Sequence, residues 1–322
     1  MALSEFNLIE HYFSRLGCQR EDTVLAVGDD CALLKPPPGK LLAVSVDTLV
    51  AGVHFFADTD PENLGHKSLA VNLSDLAAMG AEPAWATLAL TLPQSDPDWL
   101  SAFSRGFSAL AIEHNVQLVG GDTTQGPLSV TVQVQGFVQP DRYLSRAAAR
   151  PGDLIYATGS LGDAGLALAG LRGQASAVGY LDKLQSRLER PEPRIAAGQA
   201  FAGIAGCGID ISDGLLADLG HICAASGAAA RVELDRIPLS AAVRAYIAET
   251  GDWQTVVSSG DDYELCVTVP ELLKTRFEEA VRSLDLAVSL IGRIEPGAGV
   301  CCVDGHGNPV DFTAKGYDHF QS

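Results

Sequence analysis

Hydrophobic and polar positions along the chain follow two periodicities, one typical of helices and one typical of strands. In residues 4–16, Leu8, Tyr12 and other apolar side chains recur at helical spacing behind a serine that can cap the helix. Residues 129–138 alternate in polarity, as in a strand with one buried face, and residues 41–46 form a continuous apolar run of strand length. The pattern therefore predicts a chain built from both kinds of element.

The same periodicities predict the other elements, including a helix that begins at Pro61 and has Gly80 at its C-terminal cap. Helices are predicted at 61–79, 97–114, from about 162, and at 179–189, 193–205, 214–225, 239–250 and 270–284. Strands are predicted at 84–92, 117–119, 154–158, 230–234, 263–269, 286–292 and 299–303. Because strands and helices mix in both halves, we expect an α/β or α+β fold.

The periodic pattern stops between residues 139 and 152, where two proline-containing turns occur. A chain of 322 residues suits two domains, on a prior of roughly 150 residues per domain. We therefore predict an N-terminal domain at 1–148 and a C-terminal domain at 149–322.

Composition narrows the function classes. The net charge of −18 argues against a nucleic-acid partner, because phosphate backbones require a Lys/Arg surface. The seven cysteines are odd in number and form no C-x-x-C pair, so a reducing compartment is favoured. The first ten residues do not resemble a signal peptide, and the longest apolar stretch, 84–92, is too short to cross a bilayer. We expect a cytoplasmic protein with no membrane partner.

A set of aspartates beside glycine, serine or threonine interrupts the apolar runs, and a solvated acidic surface does not account for it. The segments are Gly28–Asp30, Ser45–Thr48, Asn72–Asp75, Gly120–Thr124, Asp210–Gly214 and Gly260–Asp262. Carboxylate and hydroxyl oxygens are the ligands that Mg²⁺ prefers. The set predicts a magnesium site assembled from distant segments, of the kind that serves phosphate chemistry.

Each aspartate also has a structural interpretation. Asp75 shares one face of a largely buried helix with Ser68 and Asn72, and a salt bridge to Lys67 is the alternative to a metal. Asp47 is predicted to close a strand at its C-terminal end, where α/β sheets bind ligands. Asp122 is predicted to follow a strand in the same way, with a plain turn as the alternative.

The second half has the same ambiguity. Ser212 or Asp213 could be the N-cap of the following helix, or that helix N-terminus could bind phosphate. The adjacent carboxylates Asp261 and Asp262 repel each other unless a cation or a hydrogen-bond donor is near. His54 lies in a glycine-flanked loop, where a structural and a functional role are both open. The chain has no P-loop, G-x-G-x-x-G, G-x-S-x-G or H-E-x-x-H motif.

At these residues the chain resembles the thiamine-monophosphate kinase family, part of the aminoimidazole ribonucleotide synthetase-like (PurM-like) superfamily. The matching stretches are 28–32, 45–50, 52–55, 67–80, 120–124, 210–215, 259–265 and 315–318. The resemblance implies a two-domain fold, with an N-terminal sheet domain that forms a homodimer interface and a C-terminal α/β domain. It also implies ATP-dependent phosphorylation of thiamine monophosphate to thiamine diphosphate. The alternatives are another ATP-dependent member of the superfamily with a different substrate, or a non-catalytic Mg-nucleotide binding protein.

The resemblance assigns roles to individual residues. The implied Mg²⁺ ligands are Asp30, Ser45, Val46 through its backbone, Asp47, Asp75, Asp122, Asp210 and Asp213. The implied contacts to ATP are Gly121, Asp122, Arg146 and Ser212, and those to thiamine monophosphate are His54, Asp261 and Tyr317. No covalent catalytic residue is implied, because the acceptor phosphate, with a second pKa of about 6, is already largely deprotonated at neutral pH. Several Mg²⁺ ions would offset the repulsion between two polyanions during direct in-line transfer.

Overall fold

The computed structural model describes residues 5–174, 178–312 and 316, which form two compact units. The first unit comprises Met1–Leu76 and Ala81–Pro140, and the second comprises Ala77–Gly80 and Asp141–Ser322. Each unit contains a sheet and helices, as the mixed periodicities predicted. A domain division after residue 148 stays a prediction.

The elements of the first unit match most of the predicted ones to within a few residues. In chain order they are α1 (Glu5–Leu8), β1 (Thr23–Leu25), β2 (Leu33–Leu34), β3 (Leu41–Val50), α2 (Pro61–Ala78), β4 (Glu82–Leu92), α3 (Pro97–Glu113), β5 (Gln117–Gln125) and β6 (Ser129–Val138). The helix predicted over 4–16 is shorter, because α1 continues only as a π-helical turn, Ile9–Phe13. Gly80 ends α2 as predicted, with a left-handed φ of 68°.

The described part of the first unit contains a four-stranded sheet in the order β3-β6-β4-β5. Only the β4–β5 pair is parallel. β3 was predicted from a continuous apolar run, and its side chains alternate in exposure. Ser45 and Asp47 face α2 and bond to it, whereas Val44 and Val46 on the opposite face are 54% and 55% exposed. We call this opposite side of the sheet the open face.

Helices α2 and α3 approach each other closely through two glycines. A Cβ on Gly106 would lie 1.8 Å from Glu62 O, and one on Gly65 would lie 2.1 Å from Phe103 O. Leu69 of α2 is fully buried, so the predicted burial of this helix is observed. The helix pair therefore covers the α2-facing side of the sheet at a spacing that only glycine permits.

The second unit is larger. Its described elements are β7 (Leu154–Thr158), α4 (Asp163–Leu171), α5 (Leu181–Glu189), α6 (Ile195–Phe201), β8 (Cys207–Asp210), α7 (Leu215–Ser226), β9 (Ala229–Glu233), α8 (Ala241–Thr250), α9 (Gln254–Ser258), β10 (Leu265–Val269), α10 (Lys274–Arg282), β11 (Val288–Glu295), β12 (Gly299–Val303) and β13 (Pro309–Val310). They form a seven-stranded sheet in the order β13-β12-β9-β11-β7-β10-β8. β7 and β8 both pair antiparallel with β10 and so run in the same direction. Their C-terminal ends therefore meet the N-terminal end of β10 at one edge of the sheet.

Close helix packing in the first unit predicts a large difference between two helical glycines. Gly106→Ala should lower the free energy of unfolding by about 1–3 kcal/mol or more, because backbone must move to admit the methyl group. Gly220→Ala, in α7 with open space around the position, is the matched control and should stabilise by about 0.5–1 kcal/mol. Urea unfolding of both variants measures the difference, and equal stability of the two would contradict the packing described here.

Candidate functional site

In the first unit, β3 and α2 bring four of the polar residues singled out from the sequence into one cluster. Ser45 and Asp47 are two residues apart and so lie on the same face of β3. Asn72 and Asp75 are three residues apart on α2. Ser45 Oγ lies 2.5 Å from Asp75 Oδ2, and Asp47 N–H donates to Asn72 Oδ1 at 3.0 Å.

The placement of Asp47 and Asp122 at strand ends was wrong. β3 continues to Val50, so Asp47 is an interior strand residue paired with Val132. β5 continues to Gln125, so Asp122 is also inside a strand, paired with Ala89. Aspartate is rare in strands, so its presence at the end of an apolar run favours a strand end there. Here the polar neighbour on α2 compensates for Asp47, and Asp122 is exposed.

Register places Asp47 and Asp122 on opposite faces of the sheet. Asp47 shares its face with Val132 and Leu88, which pair in succession across β6 and β4. Asp122 shares the open face with Ala89 and its partner Thr131. β3 and β5 are the outer strands of the four, so the two aspartates are also about 14 Å apart at ~4.8 Å per strand. Within the chain, Ser45, Asp47 and Asp75 therefore lie together, and Asp122 lies apart from them.

Two further N-terminal candidates lie in exposed backbone, Gly121 within β5 and Asp30 in a turn. Gly121 has no room for a side chain, because a Cβ there would be 1.9 Å from Leu88 O. Asp30 lies in the exposed turn between β1 and β2, and its N–H donates to Asp29 Oδ1 at 2.9 Å. This exposure leaves the Asp30 carboxylate accessible to solvent and to ions.

His54 is held against the end of β3. Val50 N–H donates to His54 Nδ1 at 3.0 Å, and His54 N–H donates to Val50 O at 3.0 Å. Nδ1 is therefore the acceptor nitrogen, and in a neutral ring Nε2 carries the proton. These two hydrogen bonds fix the His54 ring against the end of β3.

In the second unit, two loops carry the candidate residues and are joined by backbone hydrogen bonds at the sheet edge defined by β7 and β8. Asp261 N–H donates to Ser212 O at 2.9 Å, and Tyr263 N–H donates to Ile211 O at 2.8 Å. A Cβ on Gly260 would lie 2.0 Å from Ser212 O, so this loop pairing requires glycine there. The pairing brings the predicted nucleotide residue Ser212 next to the predicted substrate residue Asp261.

The N-cap interpretation of Ser212 and Asp213 is wrong. The N-cap of α7 is Gly214, which has a φ of 112° and no side chain to bond. The cap is supplied from within the helix, because Asp218 Oδ2 accepts the N–H groups of both Asp213 and Gly214 at 3.0 Å. The side chains of Ser212 and Asp213 are thus not used as the cap.

Asp218 is the functional candidate that the sequence interpretation missed. Burial raises its pKa to about 8, with further contributions from the charges of Asp210 and Asp213. One ligand atom each from Asp213, Asp218 and His221 lies within 4.8 Å of the others. An aspartate in the first turn of a helix, four residues after a glycine, was the available signal. A buried carboxylate pressed against two others is a donor set that fits Mg²⁺.

The loop 260–264 has strained backbone. Asp261 and Tyr263 have positive φ values of 67° and 50°, and Tyr263 Oη donates to Asp261 Oδ1 at 2.9 Å. Asp262 is buried and accepts Gly162 N–H with both carboxylate oxygens at 3.0 Å. Burial raises the pKa of Asp262 well above its usual value, against the lowering effect of that hydrogen bond. The predicted repulsion between the neighbouring carboxylates is thus relieved by turning one inward and one outward.

Glu264, also missed from the sequence, is fully buried at the base of this loop. It accepts Thr158 Oγ1–H at 2.6 Å, Arg187 Nη2–H at 2.8 Å, and both Nε–H and Nη2–H of Arg194 at 2.8 and 2.5 Å. A carboxylate held by four donors fixes where β10 begins. Glu264 therefore sets the position of the loop that carries Asp261.

Two predicted site residues remain, Arg146 and Tyr317. Arg146 is exposed, and within the described chain its side chain forms no hydrogen bond or ion pair, although its carbonyl accepts Ser226 Oγ–H at 3.0 Å. Tyr317 lies outside the described residues, and its role stays a prediction.

Comparison with known proteins defines the class. The family model of the AIR synthase related protein, N-terminal domain, matches residues 28–138. The family model of the AIR synthase related protein, C-terminal domain, matches residues 150–303. A crystal structure of thiamine-monophosphate kinase from Stenotrophomonas maltophilia is 45% identical with a TM-score of 0.84, covering 91% of this chain and 93% of that one. A structure of AaThiL complexed with AMPPCP and TMP is 30% identical with a TM-score of 0.76, covering 92% of both chains. The fold is thus the two-domain AIR synthase-related one.

Thiamine-monophosphate kinase from Salmonella typhimurium is 49% identical over 322 residues, covering 99% of both chains. The chain belongs to the thiamine-monophosphate kinase family. It is an enzyme of the kinase class. Across the described residues, no helix is long and apolar enough to cross a membrane.

The buried Asp218 gives the metal-free protein a specific pH dependence. Its folded pKa of about 8 exceeds the ordinary aspartate pKa of 3.8, so above about pH 4 the folded chain keeps a proton that the unfolded chain has lost. Wild-type stability should therefore fall, relative to Asp218→Asn, as pH rises toward 8, by at most about 1.4 kcal/mol per pH unit. Asparagine keeps an oxygen for both N–H groups and removes the charge.

Urea unfolding in EDTA between pH 5 and pH 9 measures this difference. Asp182→Asn, on the exposed surface of α5, removes the same charge away from the cluster. An equal pH-dependent gain in stability for both variants would contradict the raised pKa of Asp218. The absence of any gain in Asp218→Asn would contradict it as well.

Proposed function

We propose that this enzyme transfers the γ-phosphoryl group of ATP to thiamine monophosphate and forms thiamine diphosphate. The observation that carries the proposal is the 49% identity over the full chain to a thiamine-monophosphate kinase. The relative complexed with AMPPCP and TMP supports both a nucleotide and a phosphorylated acceptor. Two carboxylate clusters, one in each unit, are the chemical reason why this chain suits phosphate substrates.

We propose several Mg²⁺ ions as the metal. In the first unit Ser45, Asp47 and Asp75 would hold metal, with Val46 through its backbone, and Asp30 and Asp122 as further ligands. In the second unit Asp210 and Asp213 would hold metal, with Asp218 next to them. When bound, Mg²⁺ neutralises phosphate charge and stabilises the transferring group.

The residues of the chain position the metal ligands and the two substrates. Asp218 fixes the Asp213–Gly214 turn through two backbone N–H bonds and so positions the backbone that carries the Asp213 carboxylate. Glu264 fixes the loop of Asp261, which we propose contacts thiamine monophosphate with His54 and Tyr317. Gly121, Asp122, Arg146 and Ser212 would contact ATP. No residue is required as a general base, because the acceptor phosphate is largely deprotonated at neutral pH.

Purified protein with ATP, Mg²⁺ and a panel of monophosphates tests the function. We expect thiamine diphosphate from thiamine monophosphate and loss of turnover in EDTA. Turnover of a different monophosphate alone would favour another ATP-dependent member of the superfamily. Nucleotide binding without turnover of any acceptor would indicate a non-catalytic Mg-nucleotide binding protein. Phosphate on the protein after incubation with ATP alone would contradict direct transfer.

The alternatives for Asp75 can be separated by one substitution. If Asp75 holds metal, Asp75→Asn should lower kcat by at least about 100-fold, because a charged ligand is lost and the Ser45 hydrogen bond can persist. Its unfolding midpoint in EDTA should then match or exceed that of wild type.

If Asp75 instead neutralises the buried Lys67, which is 4% exposed, Asp75→Asn should destabilise the protein by about 3–5 kcal/mol. Urea unfolding in EDTA and steady-state kinetics on the same sample distinguish the two results. Full activity would remove Asp75 from the metal site.

We propose a homodimer formed through the open face of the first unit. Leu42, Val44 and Val46 present an apolar row on the outer strand β3, with exposures of 49%, 54% and 55%. Exposed apolar rows of this kind usually mark interfaces. Asp122 lies on the same face, so its environment depends on what covers that face.

Val44→Glu should convert the dimer to a monomer, because a charge would be buried in the interface. Light scattering after gel filtration measures the mass. Leu272→Glu, at an 85% exposed position in the second unit, is the control and should leave the mass unchanged. A wild-type monomer, or a dimeric Val44→Glu variant, would contradict this interface.

We place the reaction in the cytoplasm, supported by the seven free cysteines, and we expect no nucleic-acid or membrane partner.

A further inference from the structure

The second unit contains a cavity of about 570 Å³ that none of the proposed roles uses. It opens beside the turn after β7 and is lined by Ser160, Asp163 and three arginines, Arg187, Arg194 and Arg244. The volume falls in the range of small-molecule sites, roughly 300–1,000 Å³. A cleft with three guanidinium groups is unusual in a chain of net charge −18.

A structural role explains only part of this arrangement. Arg187 and Arg194 both bond to the buried Glu264, and Arg194 also bonds to the exposed Glu192. Arg194 thus has two carboxylate partners within the protein. These two guanidinium groups carry two positive charges, which is more than is needed to neutralise the single negative charge of Glu264.

Arg244 has no such explanation. Within the described residues its hydrogen bond is from Nη2 to Leu239 O at 3.3 Å, and it pairs with no carboxylate. It lies on α8, in an exposed position, yet lines the same cavity as Arg187. A guanidinium group that faces a cavity without an internal partner is available for a ligand.

Arg187 is held in place and still has donors to offer. One N–H reaches Glu264 at 2.8 Å, and its Nε is 3.9 Å from Asp163 Oδ2, beyond hydrogen-bond distance. A guanidinium group carries five N–H donors, so most of those on Arg187 are unused. Anchoring by Glu264 reduces the conformational entropy that Arg187 would lose on binding an anion.

The distribution of charge favours an anion beside Arg244. The carboxylates of Glu264, Asp163 and Glu192 lie against Arg187 and Arg194, whereas Arg244 has no carboxylate partner among the described residues. The Asp163 carboxylate accepts the hydroxyls of Ser160 and Ser240 at 2.6 and 2.5 Å, so these hydrogen bonds occupy it. Pro238 and Leu239 add an apolar wall. A phosphate group with a compact organic part matches both the charge and the wall.

We propose that this cavity binds a phosphate-bearing small molecule, with Arg187 and Arg244 as the two ligands of its phosphate. Bidentate contacts from arginine suit phosphate oxygens. No magnesium is needed, in contrast to the carboxylate clusters. The proposal does not rest on the proposed function, because none of its residues belongs to those clusters.

Calorimetric titration with inorganic pyrophosphate in EDTA tests the site. Wild type should bind one pyrophosphate per chain, and Arg244→Gln should bind it at least about tenfold more weakly, because one charged contact is lost. Arg282→Gln, on the exposed end of α10, is the control and should bind as wild type does. Sulfate at equal ionic strength should compete less well than pyrophosphate.

Arg244→Gln should also keep its stability and its kinase turnover with Mg²⁺, since Arg244 touches neither Glu264 nor a carboxylate cluster. Absence of binding to wild type at millimolar pyrophosphate would overturn the proposal. Equal binding by wild type and Arg244→Gln would overturn it as well, because the anion would then be bound elsewhere. Loss of turnover in Arg244→Gln would place the cavity in the kinase site and contradict a separate one.

Discussion

Buried carboxylates are the constraint on which the second unit depends. Asp218, Asp262 and Glu264 are each less than 5% exposed and lie near the ends of β7, β8 and β10. Each needs hydrogen-bond donors, because a buried polar group without a partner is costly. The N–H groups of two turns supply the first two carboxylates, and arginines supply the third. The loops that carry Asp213 and Asp261 are shaped by this requirement.

The first unit meets the same constraint differently. Asp47 and Asp75 lie on a strand and a helix, and side-chain partners hold them: Ser45 bonds to Asp75, and Asn72 bonds to the backbone of Asp47. Regular elements fix these positions more rigidly than loops do, and no strained backbone is needed there. The two units therefore present carboxylates on supports of different stiffness.

Periodicity predicted most of the fold because long helices and strands bury one face each. It missed β1, β2 and β13, which have two or three residues, and β8, whose four residues are all buried and do not alternate. The order of apolar and polar residues showed that Asp47 and Asp75 lie among apolar residues, and this suggested a metal site. It could not give the strand register, which depends on pairing between segments far apart in sequence.

The residues missed at the site were those that act on other residues. Asp218 lies four residues after a glycine and Glu264 two residues after the Gly260–Asp262 segment. Their roles, however, come from contacts with backbone or with arginines on other elements. The Arg187–Arg244 pair is equally invisible in the sequence, because α5 and α8 are brought together only by the fold. Resemblance to a family covered the metal ligands and left these supporting residues out.

The irregular pairing of β5 has a consequence for how related chains should be aligned. Leu118 pairs with Ala86 and Gly120 with Thr87, so Val119 is an extra residue in the strand. Side chains alternate, and one extra residue therefore reverses the parity of every position after it. If Val119 were paired with Thr87 in a regular strand, Asp122 would be paired with Leu90 and point into the helix layer. A related chain that lacks one residue at Val119 can therefore keep its carboxylate on the same side of the sheet, and an alignment that places the gap after Asp122 would compare residues from opposite sides.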